Sequence, residues 1–262
     1  MTLKEGDIAY FNLGEHENPI FWSRFSEIPN LKGARIIDIG SGHGSLCVDM
    51  ALAGAKKVVG LDLRSDLVDF SNIYVQLKYP QLKNIIEFKA SHLKNYDEDG
   101  FDYIVSKDTF EHILDLNVML CEMRKRLKPG GRIYAGFGPL YRCPYGDHDR
   151  RKTIFKPWGH WGRMLSLIPW GHLFMESLMI CLHNRYCERK INSIEETGLN
   201  KLAMSDYQKI FSESGFLIFD IRKNVSKSIR SKILSVGRRL PFLEDFCTHN
   251  IYCILENPSH HS

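Results

Sequence analysis

At 262 residues, with 44% hydrophobic, 25% charged and 11% aromatic side chains, the chain has enough apolar content to bury one large core and too much to stay disordered. Twenty glycines and ten prolines, spread without a period, exclude collagen-like and low-complexity architectures. The net charge of +4 is uneven: residues 1–130 carry 16 basic and 19 acidic groups and residues 131–262 carry 19 and 12, an excess that reads as a solvated surface or a site for an anionic substrate and is too sparse for a nucleic-acid stripe.

The N-terminus, MTLKEGDIAYF, lacks a basic start followed by an apolar block, so no secretory signal is expected. The richest apolar stretch, Met164 to Leu182, is broken by Pro169, Gly171, His172 and Glu176, so no membrane span is expected either. Seven cysteines, Cys47, Cys121, Cys143, Cys181, Cys187, Cys247 and Cys253, are odd in number and contain no CxxC pair. They read as reduced thiols in a cytoplasmic protein.

In chain order, ARIIDI at 34–39 is a short β-branched run ending in glycines, and Leu46–Ala53 follows with apolar residues at helical spacing. The alternation repeats with a strand at Lys57–Leu61, a helix at Asp66–Tyr79 stopped by Pro80, and strands at Ile85–Lys89 and Phe101–Ser106. A helix at Leu114–Leu127, a Pro-Gly turn in LKPGG at 127–131, and a strand at Arg132–Phe137 continue it. Alternation lapses from Gly138 to about Asn200, a segment rich in Trp, His, Pro and Arg with helical stretches at 160–168 and 172–183. It resumes with a helix at Ser205–Ser214 and strands at Phe216–Ile221 and Asn250–Leu255, which could pair as a hairpin at one sheet edge. Strands alternating with helices predict a mostly parallel sheet covered on both faces, with ligands outside the carboxyl ends of the strands.

Two features of that edge carry chemistry. Asp38-Ile-Gly40-Ser-Gly42-His-Gly44 joins the first strand to its helix, where glycines let the backbone approach a ligand. Asp62 follows the second strand, where a carboxylate can accept both hydroxyls of a ribose. Together they predict a nucleoside site, and an NAD site is admitted by the same pair, although the spacing is GxGxG rather than GxGxxG.

With FDYIVSKDTFEHI and LKPGGRIY added in order, DIGSGHG and GLDLR resemble the class I S-adenosylmethionine-dependent methyltransferases over residues 34–138. The resemblance implies a Rossmann-like, doubly wound seven-stranded sheet, mostly parallel with its last strand antiparallel. It implies one domain over 1–262, with 139–200 an inserted helical lid for substrate. It also implies S-adenosyl-L-methionine as cofactor, with Asp38, Gly40, Gly42 and Gly44 at the methionine end, Asp62 at the ribose and Leu63 beside the adenine. Ser91 stands where many members carry an acid toward the adenine amino group, and His92 could share that contact. Lys107 borders the same site and is expected to turn outward or pair with Asp108, because a cation repels a sulfonium.

Asp108, Glu111 and His112 fall at i, i+3 and i+4 of an expected helix and so share one face. The pattern resembles the metal-binding acid-x-x-Glu-His segment of small-RNA 2′-O-methyltransferases and some ubiquinone-pathway O-methyltransferases, yet Glu-His also braces this helix in members that use no metal. No metal is expected here, with these three residues as the alternative set.

Methyl transfer depends on alignment and exclusion of water, and the inserted segment suits both tasks. Its Tyr141, Tyr145, Trp158, Trp161, Trp170 and Phe174 are candidates for an apolar or planar substrate, or for the core of a small subdomain. Among its histidines, His148, flanked by Asp147 and Asp149, is the first candidate for general base, ahead of His112, His160 and His172. Arg142, Arg150, Arg151 and Lys152 surround the same loop and could clamp a substrate carboxylate or phosphate. Lys223, Lys227, Arg230, Lys232, Arg238 and Arg239, with Ile229, Ile233, Leu234 and Val236 between them, predict a surface helix packed on the sheet edge, with attachment to an anionic membrane or nucleic acid as the alternative. The expected activity is transfer of a methyl group to O or N of a small natural-product, quinone or saccharide-pathway molecule, by a soluble chain that admits a homodimer. A nucleic-acid methyltransferase and a catalytically silent cofactor-binding partner are the alternatives.

Overall fold

The computed structural model describes residues 3–225 and 229–259. An unforeseen helix, α1 (Glu5–Trp22), opens the chain. β1 (Arg35–Ile39), α2 (Ser45–Leu52), β2 (Lys57–Asp62), α3 (Ser65–Lys78), β3 (Ile86–Ala90), β4 (Phe101–Lys107), α4 (Leu116–Arg126) and β5 (Leu127–Phe137) follow in alternation. After the inserted segment come α9 (Met204–Glu213), β6 (Leu217–Lys223), α10 (Ile229–Gly237), α11 (Glu244–Cys247) and β7 (Ile251–Glu256).

The strands form one seven-stranded sheet in the order β3-β2-β1-β4-β5-β7-β6. β7 runs antiparallel to both β5 and β6, while β1 to β5 are mutually parallel, as the resemblance implied. Strand order reverses between β1 and β4, and a crevice opens at the carboxyl ends of such a pair. Consecutive apolar residues on each central strand feed opposite faces, because strand side chains alternate. Ile37, Val59, Ile104, Ile133 and Leu255 join Leu120 of α4 and Phe211 of α9 on one face. Ile36, Val58, Val105, Tyr134 and Ile254 join Phe11 of α1, Leu46 of α2 and Val68 of α3 on the other.

The inserted segment contains α5 (Arg150–Ile154), α6 (Gly159–Ser166), α7 (Gly171–Phe174) and α8 (Glu176–Tyr186). The helix expected at 172–183 is thus two, divided at Met175. The segment has a small core of its own, made by Tyr141, Ile154, Phe155, Met179, Leu182, Ile191, Ile194 and Leu199.

Three local expectations change. LKPGG does not end the helix in a free turn: Leu127 already pairs with Phe101, and the ladder shifts register before Arg132 meets Tyr103, so the glycines form an irregularity inside β5. The helix expected from Ser106 is absent. β4 runs on to Lys107, Asp108 takes a left-handed φ of 52°, and Phe110–His112 make a single 3-10 turn. The basic helix does form as α10, but Ile233 and Leu234 border a cavity and Gly237 abuts Cys247 of α11. Lys227 lies outside the described residues, as do the side chains of Ile229 and Arg230. No helix among the described residues is long and apolar enough to cross a membrane, and all seven cysteines are free.

Candidate active site

The turn after β1 is built by glycines for two different reasons. Gly40 and Gly42 have φ of 75° and 52°, in the left-handed region that a side chain disfavours. A Cβ on Gly40 would collide with the Thr109 side chain, whereas a Cβ on Gly42 would meet nothing within 4 Å and would project into open space. That space is a cavity of about 730 Å³ at the carboxyl ends of β1, β2 and β4.

Asp62 borders this cavity with its carboxylate aimed by the backbone: the Gly42 amide donates to Oδ2 (2.9 Å) and the Arg64 amide to Oδ1 (2.9 Å). Leu63, Ser91, His92, Asp38, Gly40, Gly42 and Lys107 line the same cavity. Gly44 does not line it. A Cβ there would strike Phe88, so this glycine serves the packing of the turn.

Asp38 is a partly satisfied carboxylate in the crevice. It is buried, the Cys47 thiol donates to its Oδ2 (3.3 Å), and its Oδ1 has no partner. Burial pushes its carboxyl up to about 7, opposed by the thiol hydrogen bond and aided by the nearby charge of Asp62. Lys107 turns to Glu17 of α1 (3.2 Å) rather than to Asp108. Helix α1 therefore roofs this cavity, with Tyr10 and Gly14 in its lining; Gly14 leaves room for Ser45 at the start of α2.

A second cavity, about 1110 Å³, opens beyond Asp108, which lines both. Its walls include Arg24, Phe137, Pro139, Tyr145, His148, Trp170, His249 and Tyr252. Arg24 donates to the Tyr252 hydroxyl (2.5 Å). Arg24 and Tyr252 were not identified from sequence, because a lone arginine after a helix and a tyrosine in a buried strand carry no motif.

His148 and His112 meet where the cavities adjoin, with ring centroids 5.1 Å apart. His148 Nε2 lies 2.8 Å from the Pro139 carbonyl and His112 Nδ1 lies 2.6 Å from the Gly198 carbonyl. A carbonyl only accepts, so these nitrogens carry the protons and the lone pairs sit on His148 Nδ1 and His112 Nε2. Burial pushes the His148 imidazole down to about 4, the Pro139 carbonyl opposing. Glu111 is buried beside them; it accepts from the Gly138 amide (3.0 Å) through Oε1, its Oε2 has no partner, and burial pushes it up to about 8.

One donor atom each from Glu111, His112 and His148 lie within 4.8 Å of one another, a set of the kind that holds a divalent cation or relays a proton. Asp108, the third member of the expected set, is not in this cluster, because the 3-10 turn does not give the i, i+3, i+4 face of an α-helix.

Several lid expectations are corrected. The flanking acids do not hold His148: Asp147 is buried in a fork with Arg151 (3.1 and 3.2 Å) and also accepts the Arg151 amide (2.9 Å). Arg151 is therefore no substrate clamp. Arg142 lies 3.6 Å from Asp245 and Lys152 lies 2.8 Å from Asp149. Arg150 remains available: it lines the first cavity, donates only to the carbonyls of Thr197 (2.7 Å) and Asp147 (3.3 Å), and has no carboxylate partner among the described residues. Tyr141 is lid core, its hydroxyl donating to Glu176 (2.9 Å), and lines neither cavity. Trp158 stacks on Phe155, and Trp161 and Phe174 face solvent. His172 is buried with Nε2 at the Tyr141 carbonyl (2.6 Å), a structural role. Of the expected aromatics, Tyr145 and Trp170 line the second cavity.

Residues 30–137 match the methyltransferase domain family. This segment matches a methyltransferase domain, and its sheet has the fold of class I methyltransferases. Ubiquinone biosynthesis O-methyltransferase of Bartonella tribocorum is 30% identical over 138 residues, 46% of this chain and 54% of its own length. The enzyme of the same name from Mesorhizobium japonicum is 28% identical over 119 residues, 43% of this chain and 46% of its own. The chain thus spans about half the length of the curated relatives it matches. The fold as a whole is shared with an S-adenosylmethionine-dependent methyltransferase from Mesorhizobium loti, with a TM-score of 0.55, 16% identity and coverage of 92% of this chain and 97% of that one. It is shared also with magnesium protoporphyrin IX methyltransferase from Synechocystis, solved with bound S-adenosylhomocysteine, at 0.53, 14%, 95% and 83%. The sheet topology expected from the resemblance stands.

Proposed function

We propose that the protein binds S-adenosylmethionine in the first cavity and methylates a hydroxyl of a small, largely apolar molecule held in the second, with residues 139–200 acting as the lid over it. The observation that carries this reading is the shared wall: Asp108 lines both cavities, and the two histidines meet across their junction. The residues fit the cofactor, since Asp38 offers an unpartnered buried oxygen and Gly42 a surface without a Cβ. Asp62 would hold the ribose hydroxyls, Asp38 the amino group, and Leu63 would cover the adenine. Bound there, the cofactor would supply an electrophilic methyl carbon.

The chain's own work is alignment and proton removal. The apolar wall of Phe137, Pro139 and Trp170 excludes water from the acceptor. His148 Nδ1, the ring nitrogen that does not meet the Pro139 carbonyl, is the acceptor for the hydroxyl proton, with the His112 ring 5.1 Å away. An imidazole held near 4 is a weak base, so it suits an acidic, phenol-type hydroxyl (about 10 in tyrosine) far better than an alcohol. The O-methyltransferase names of the curated relatives support the same class of acceptor. Arg150 lines the first cavity, its charge acts on His148 of the second and it has no carboxylate partner among the described residues, so it would receive an acidic substituent of an acceptor that reaches the junction; reversal to Glu should raise KM.

Two substitutions separate the parts. Asp62→Ala removes charge-assisted hydrogen bonds each worth about 1.5–3 kcal/mol and should weaken S-adenosylmethionine at least about tenfold by calorimetry. His148→Ala should retain that affinity and lose about 10²–10⁴ in turnover of a catechol-type acceptor. Unchanged cofactor affinity in folded Asp62→Ala would defeat the reading, and unchanged turnover in His148→Ala would remove its role as base.

A further inference from the structure

Helix α6 is built inside out. Its buried positions are Gly162 and Ser166, and a Cβ on Gly162 would collide with the Phe155 carbonyl. Only Leu165 of its large apolar residues packs on the segment's core: Trp161 is 76% exposed, Met164 is exposed, and Leu167 and Ile168, just past the helix end, are exposed as well. An amphipathic helix of a soluble chain normally buries that stripe. Phe174, at the end of α7, is 87% exposed.

Helix α10 repeats the inversion. Gly237 abuts Cys247 while Ile233 and Val236 are 66% and 64% exposed, and Phe242 follows at 72%. The two stretches are neighbours. Trp170 donates from Nε1 to the Phe246 carbonyl (3.1 Å), and the second cavity opens between Pro169 and Trp170 on one side and Ile233 and Leu234 on the other. The mouth of the acceptor cavity is therefore rimmed by aromatic and aliphatic side chains.

The unpaired charges carried by these elements have one sign. Arg163 lies on α6, Lys232 on α10, and Arg238 and Arg239 follow α10 beside a third cavity; none has an ion pair among the described residues, whereas Glu176, Glu244 and Asp245 are matched by Lys201, Lys223 and Arg142. Exposed aromatic residues interspersed with unpaired cations complement an apolar layer topped by anionic headgroups. We propose that this face rests on the surface of an anionic lipid bilayer, lying on it without crossing it, so that the second cavity opens toward the lipid. The proposal does not depend on methyl transfer, because it is read from the chain without cofactor or acceptor.

The test is co-sedimentation of the full chain with vesicles of phosphatidylcholine alone and of phosphatidylcholine with one-third phosphatidylglycerol. The anionic vesicles should bind it, with a blue shift of tryptophan fluorescence, and the neutral ones should bind it much less. Trp161→Ser with Phe174→Ser should lower the partition coefficient at least about tenfold, since each aromatic buried in the interface contributes substantially. Arg238→Glu with Arg239→Glu should lower it about fivefold per cation removed, on anionic vesicles only and less so at high salt. Leu77→Ser, an exposed apolar change on α3 away from the rim, should leave it unchanged. All these positions are on the surface, so circular dichroism and calorimetry with S-adenosylhomocysteine should match the parent. Absence of binding to anionic vesicles, or binding indifferent to the Trp161 and Phe174 changes, overturns the proposal. So does a concentration-dependent dimer that those changes abolish without any lipid binding, since a second copy would then be what covers the face.

Discussion

A carboxyl group held near pH 7 with one oxygen unpartnered makes cofactor binding sensitive to protons. Asp38 is 2% exposed and lines the crevice, and its buried Oδ1 has no donor. The free protein therefore keeps it protonated below about pH 7, against an ordinary value of 3.8. A ligand bringing an ammonium and a sulfonium favours the ionised form, so binding must release a proton wherever the free protein still holds one. Affinity then rises with pH, by up to tenfold per unit below the folded value, and levels off above it. Working from a folded value near 7, S-adenosylmethionine should bind about fiftyfold more tightly at about pH 7 than at about pH 5, if the complex titrates below that interval. Calorimetry at about pH 6 in two buffers of different ionisation enthalpy should register close to one proton released. Asp38→Asn preserves shape and removes the proton, so its affinity should be lower and nearly flat over the same range. A wild-type affinity independent of pH between about 5 and 7, with no proton released, would refute both the elevated Asp38 value and its contact with the ligand.

Two further outcomes follow from packing. Gly42→Ala should cost about 1 kcal/mol for the left-handed backbone, read from urea unfolding, yet weaken S-adenosylhomocysteine about tenfold or more because the new methyl enters the cavity. Arg151→Met should destabilise the lid by about 3–5 kcal/mol, because Asp147 would remain buried without its cation, and limited proteolysis should then cut within 139–200 while the sheet stays intact.

The sheet was legible because each buried strand is a short apolar run bounded by glycine, proline or acid, and because ligand chemistry demanded glycines and Asp62 at fixed places. Helix α1 was not. Its buried face is Phe11, Gly14, Asn18 and Phe21, and the glycine and asparagine in that stripe hide the period. The Asp108–His112 segment misled for a related reason: its residues suit a helix, but Asn200 ties it from a distance, its side-chain amide donating to the carbonyls of Phe110 (2.7 Å) and Ile113 (3.0 Å). The lid aromatics looked alike in sequence and differ only in tertiary place: Tyr141 inside, Trp170 at the cavity, Trp161 and Phe174 outside.

The strained loop at His148 ties these lid contacts to the chemistry. His148 and Asp149 both hold left-handed φ, 51° and 61°, and neither is glycine. Such residues cost roughly 1 kcal/mol or more each and persist only where the surroundings fix them. The surroundings here are the Asp147–Arg151 fork on one side, closed by Arg151 Nη1 donating to the Ile168 carbonyl (2.6 Å), and the Pro139 carbonyl at the imidazole on the other. The buried ion pair is thus spent on backbone shape: it holds the turn that brings a donor atom of His148 within 4.8 Å of donor atoms of His112 and Glu111. Arg151 is in this way a determinant of where His148, the proposed proton acceptor, stands, which the four consecutive charges Asp149–Lys152 conceal when read as a surface run.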